Sequence, residues 1–114
     1  QLTEDSIMKK TLFILAAVAL GFSLPVHAKG SYEAGKAKSA ACAACHGADG
    51  VSSVPSFPVL AGQQRDYLYH ALKDYKSGKR NNPIMAGQVQ NLSDADMLDL
   101  ALYFSKQKGL SLKY

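Results

Sequence analysis

The two cysteines of the chain lie three positions apart in Cys42-Ala43-Ala44-Cys45-His46. Two thiols with this spacing, followed directly by an imidazole, can add to both vinyl groups of a haem and ligate its iron from one side, the pattern of c-type attachment. A helix gives the spacing its meaning. Within one turn the two sulfurs project to the same side, and the next residue brings its ring beneath the macrocycle. Every other stretch is then judged by whether it holds, covers or addresses a haem.

Two other chemistries use the same thiols. A structural zinc site needs four Cys or His ligands. With His27 assigned below to a leader, His70 is the one histidine left outside the motif, a thin basis for a closed site. A dithiol exchange pair is the second alternative. That motif opens a helix in a strand-rich βαβ setting, and no alternating or β-branched run here makes a sheet.

Residues 8–28 read as a secretory leader: Met8-Lys9-Lys10, an apolar run over 11–24, and Pro25-Val26-His27-Ala28, with cleavage expected after Ala28. The run is shorter than the ~20 residues that span a bilayer, so a retained anchor is disfavoured. Residues 1–7 precede the initiator-like Met8 and read as an upstream extension without fold. The working domain is then 29–114, exported to the periplasm, where c-type haem is attached. Without haem, the same thiols would oxidise there.

That domain is small, and domains of its size often need a staple from a metal, disulfide or cofactor. A covalent haem is such a staple, so the apoprotein is expected to fold poorly. The net charge is +4. Residues 1–28 carry two charges of each sign and leave it unchanged, and two ionised propionates lower it to roughly +2. No basic run with interleaved aromatics points to nucleic acid.

Three helices are expected to position the motif. The first covers 31–45, capped by Ser31 with Glu33 in its first turn and alanines throughout. Gly35 inside it costs roughly 1 kcal/mol relative to alanine and signals close approach by another element. A second begins at Gln63 or Gln64, carries Tyr67, Leu68, Ala71, Leu72 and Tyr75 as one apolar stripe, and ends at Ser77-Gly78. A third is capped by Ser93, with Asp94 and Asp96 in the first turn, and runs through Met97, Leu98 and 101–104 until Gly109 stops it. Between them, 47–58 and 79–92 read as loops, the latter holding Met85 near its middle. Loops this long make sense if they wrap a cofactor.

With these elements in place the chain resembles the class I cytochromes c, of the small bacterial single-haem kind that is similar to one repeat of the dihaem periplasmic cytochromes. The resemblance covers 29–114. It rests on Gly35, Cys42-Ala43-Ala44-Cys45-His46-Gly47, Pro58-Val59-Leu60-Ala61-Gly62-Gln63, Met85, Leu92-Ser93-Asp94 and Ala101-Leu102-Tyr103-Phe104. It implies an all-α cytochrome c fold around one haem c, with thioethers at Cys42 and Cys45, His46 as proximal iron ligand and Met85 as distal ligand. It further implies that the Pro58 carbonyl accepts a hydrogen bond from the other ring nitrogen of His46, and that Gly35 and Tyr103 meet where the first and last helices cross.

Competing axial ligands are Met97, on a core face where methionine fills gaps, and His70, at the edge of its stripe. An unfilled sixth position remains a further alternative. Tyr67, Tyr69 and Tyr75 are candidates to line a haem pocket or simply core, and Arg80 and Gln64 candidates to meet propionates. A His/Met pair fills both axial positions and suits single-electron transfer rather than catalysis. The expected function is a periplasmic electron carrier between a membrane complex or dehydrogenase and an oxidase or reductase. Alternatives are a haem gas sensor, for which Met85 must leave iron, a dedicated cytochrome subunit of a redox enzyme, and a haem-free thiol protein. Lys36, Lys38, Lys73, Lys76, Lys79 and Arg80 form a candidate basic ring for an acidic redox partner; the alternative is a solvated face on each of two helices.

Overall fold

The computed structural model describes residues 29–109; the leader and the upstream extension expected from the sequence lie outside the described residues. The described part is helical, with no strand among the described residues: α1 Tyr32–Lys38, α2 Ala40–His46, α3 Arg65–Ser77, α4 Pro83–Val89 and α5 Asp94–Ser105.

The first expected helix is split by one residue. At Ser39 the hydroxyl donates to the Lys36 carbonyl at 2.8 Å and the amide makes a three-residue turn to the same oxygen at 3.3 Å. A serine that bonds back to its own helix in this way competes with the regular ladder. The ladder resumes at once, with Ala43 N–H bonded to Ser39 O at 2.9 Å. Gly47, in the left-handed region at φ 86°, then ends α2, and an added Cβ would stand 2.9 Å from the Val51 carbonyl carbon.

Residues 79–92 are not one loop. Asn82 and Pro83 start the seven-residue helix α4, which carries Met85. An Asn cap followed by proline at the first helical position is a recognised start signal; a search for apolar periodicity passes over a helix this short. The last helix also ends earlier than Gly109. The Phe104 carbonyl accepts from Gly62 N–H at 3.1 Å and from Gln107 N–H at 3.2 Å, so the last turn tightens and the chain leaves the helix.

Helix α5 is the organiser. It buries Met97, Leu100, Ala101, Tyr103 and Phe104, and side chains of this size contribute about 1.5–3 kcal/mol each when fully buried. Leu68 of α3 joins Leu100, Ala101, Tyr103 and Phe104 in the core, with Cys42, Leu60, Tyr69, Leu72 and Leu92 packed against it. Tyr67, expected on the same stripe as Leu68, is 53 % exposed. The Arg80 guanidinium lies over its ring, 5.9 Å from the centroid.

The crossing of α1 and α5 agrees with its expectation. A Cβ on Gly35 would stand 2.7 Å from the Asp99 carbonyl carbon and 2.8 Å from Tyr103 Cβ, so only glycine allows this approach. Around it, Asp99 accepts from Ser31 N–H at 2.7 Å and from Lys38 Nζ at 2.9 Å, and Lys38 also meets Asp96 at 2.6 Å. Lys38 therefore belongs to an internal ion network rather than to a free basic ring. Ser93 and Asp96 complete a reciprocal capping box at 3.1 and 2.9 Å, in line with the acidic first turn read from the sequence.

Candidate functional site

Helix α2 carries Cys42, Cys45 and His46. Cys42 is half-buried against the core and Cys45 is exposed. Burial pushes the Cys42 thiol above its ordinary value, the opposite of what an exchange-active dithiol needs. Among the described residues no group of three or more His, Cys, Asp or Glu is gathered in one place.

His46 is buried, and its Nδ1 lies 2.8 Å from the Pro58 carbonyl oxygen. A carbonyl only accepts, so Nδ1 carries the proton and Nε2 keeps its lone pair for a ligand. The intervening loop is built to make this contact. Gly50 O accepts from Leu60 N–H at 2.8 Å and from Ala61 N–H at 3.1 Å, which closes the loop and returns Pro58 to His46. Gly62 ties its far end to Phe104 of α5, and Ala61 is fully buried. Phe57 stands beside the imidazole, with centroids 6.4 Å apart. Ser52, which drew no attention in the sequence, bridges within the loop to the Val54 carbonyl at 3.0 Å and lies 3.5 Å from the Cys45 carbonyl.

Met85 sits half-buried on α4, whose start is fixed by Asn82: the side-chain oxygen accepts from Ile84 N–H and Met85 N–H, each at 3.1 Å. Met97 is 4 % exposed in the core, as its helical position predicts. His70 is exposed beside Tyr69. Arg80 is engaged by tyrosines on α3, 5.2 Å from the Tyr75 centroid, and donates to the Tyr67 hydroxyl at 3.3 Å. Gln64 is exposed and precedes α3 without a side-chain cap. Among the described residues, apart from Tyr32, which packs tilted on Tyr103, the large apolar side chains left exposed are Val51, Val54, Val59, Tyr67 and Ile84. Four of them flank the two segments that carry the motif's loop and Met85. Two thiols on one helix, a tautomer-fixed imidazole and uncovered apolar side chains fit a covalently attached, largely apolar macrocycle.

Fold and site together define a c-type haem protein. Residues 32–108 match the family model described as Cytochrome c, and the chain belongs to the cytochrome c family, whose members hold haem c covalently. It is 48% identical over 97 residues to cytochrome c4 of Pseudomonas aeruginosa, covering 85% of this chain and 48% of that protein. Cytochrome c-554(548) of Halomonas halodenitrificans is 42% identical over 82 residues, covering 69% of this chain and 99% of the relative. Among solved structures, reduced recombinant cytochrome c4 from Pseudomonas stutzeri superposes with a TM-score of 0.68 at 47% identity, covering 71% of this chain and 47% of that one. The chain thus spans about half the length of the cytochrome c4 relatives it matches.

Proposed function

We propose that this chain is a periplasmic single-electron carrier in which Cys42 and Cys45 would hold the haem as thioethers and His46 and Met85 would ligate its iron. When bound, the haem supplies a reversible one-electron iron couple. The chain's residues set its conditions. His46, with Nδ1–H donated to Pro58 at 2.8 Å, presents Nε2 in a fixed orientation and with raised basicity. This hydrogen bond is the observation that carries the reading. A haem held by His46 and the Met85 thioether would favour ferrous iron and would suit electron exchange rather than catalysis.

No helix among the described residues is long and apolar enough to cross a membrane. The export reading is tested by N-terminal sequencing of the secreted protein, which should begin at Lys29. Redox proteins with an acidic docking surface are the proposed partners. With Lys38 held by Asp96 and Asp99, the steering charges reduce to Lys36, Lys73, Lys76, Lys79 and Arg80. Low ionic strength should accelerate electron transfer, and a flat salt dependence removes the docking idea.

The decisive measurement is the absorption spectrum of the ferric and ferrous protein. A c-type spectrum with the weak sulfur-to-iron band near ~695 nm, lost in Met85→Ala and kept in Met97→Ala, supports the assignment. A band that survives Met85→Ala overturns it, and rapid carbon monoxide binding to the ferrous wild type returns the gas sensor.

A further inference from the structure

Met85 lies in the first turn of a helix with little to hold it. Helix α4 has seven residues, and Val89 is its one buried side chain. Among the chain's own atoms, a Cβ on Gly87 would meet nothing within 4 Å. Helices this short do not persist through propensity, and here the core contributes only at the far end. What fixes the near end is Asn82. Its backbone is extended (φ −146°, ψ 108°), and its side-chain oxygen accepts from the amides of Ile84 and of Met85 itself. Pro83 follows, supplying a φ already suited to the helix and no competing N–H.

From these contacts we infer that Asn82 is a positioning residue for the Met85 thioether: by holding the Met85 backbone amide, it holds the methionine-on state of the iron. The inference rests on the axial role proposed for Met85. Asn82 acts through the Met85 backbone amide. It limits how often the first turn of α4 opens, and each opening carries Met85 with it. An equivalent role is not available to Ser93 or Ser31, which cap helices bearing no proposed ligand.

Removal of an Asn cap shifts the local equilibrium by about fivefold, the factor that corresponds to ~1 kcal/mol. In holoprotein, Asn82→Ala should raise the methionine-off population by about that factor. Three readouts follow well below the unfolding temperature. The band near ~695 nm should fade at lower temperature than in wild type, carbon monoxide should bind ferrous protein faster, and amides of Ile84 and Met85 should exchange faster. Asn82→Ser, a neutral residue of equal capping rank, should restore all three. Should Asn82→Ala fail to accumulate, the serine variant and Asn82→Gly, which costs a cap only a few tenths of a kcal/mol, carry the comparison, with glycine expected between serine and alanine-like behaviour.

The two proposals fail separately. Loss of the band in Met85→Ala with unchanged band, carbon monoxide rate and exchange in the Asn82 variants overturns the positioning role alone. Retention of the band in Met85→Ala overturns the ligand assignment beneath it. Faster unfolding in Asn82→Ala without any change in the three local readouts marks a merely structural cap and also overturns the inference.

Discussion

The α1–α5 crossing and the 79–92 arm are held by different physics. At the crossing, Gly35 lies against the Asp99 backbone and Tyr103, and a buried carboxylate ties Ser31 to Lys38. Displacement there meets hard atoms. In the arm, Arg80 rests over Tyr67 and Tyr75, Lys76 donates to the Leu92 carbonyl, and Asn82 caps α4 from a largely exposed position. Displacement there breaks polar contacts that water can replace. The proposed proximal ligand is connected to the first region through Gly62 and Phe104, and the proposed distal ligand belongs to the second. A rigid imidazole side and a more yielding thioether side follow from this arrangement.

Removing the covalent staple is the largest perturbation. Cys42→Ser with Cys45→Ser should abolish cooperative unfolding, and amide exchange in 79–89 should lose protection before that in α1 and α5. Simultaneous loss would mean that the two regions form one cooperative unit. Next comes Gly35→Ala, whose methyl has no place beside Asp99; about 3 kcal/mol or more is expected in denaturant unfolding of holoprotein, with the ~695 nm band intact until global unfolding.

The ion network gives a smaller, pH-dependent effect. Lys38, followed by the Ser93 amide and hydroxyl, holds the Asp96 carboxyl at about 2, below its ordinary 3.8. A folded value below the unfolded one contributes stability that is present above the ordinary carboxylate range and disappears as pH falls through about 2. The same pair raises Lys38 above 10.5, so its share holds below that pH and is lost as pH rises through the folded value. Lys38→Met should flatten both limbs of the stability profile, by about 1 kcal/mol or less because the pair is partly solvated. Smallest of all, Arg80→Ala should cost roughly 0.5–1 kcal/mol and speed exchange only in 79–89. A matching change in α1 or α5 would erase the distinction between the regions.

Much of the rigid region was legible in the sequence, because its causes are local and specific. Gly35 in an alanine-rich helix announced a close approach, and Ser93 with Asp96 announced a capping box. The spacing of Cys42, Cys45 and His46 pointed to a covalent haem c, the cofactor of the family the chain belongs to, and Met97 was readable as core. The yielding region was read less well. Tyr67 shares a helical phase with buried Leu68, and periodicity alone does not reveal that Arg80 will cover it. Helix α4 lies below the length at which an apolar period can be counted, so its evidence was confined to Asn82-Pro83. Lys38 looked like surface charge because its partners, Asp96 and Asp99, are distant in sequence.

The contact from Ser31 to Asp99 spans 68 positions of sequence. Contacts of that range close late, after most of the chain is available. The 40–46 segment is therefore complete before α5 can close over it. Closure of the last helix then acts as a terminal latch, since the core forms only when α5 brings Leu100, Ala101, Tyr103 and Phe104 against Leu68.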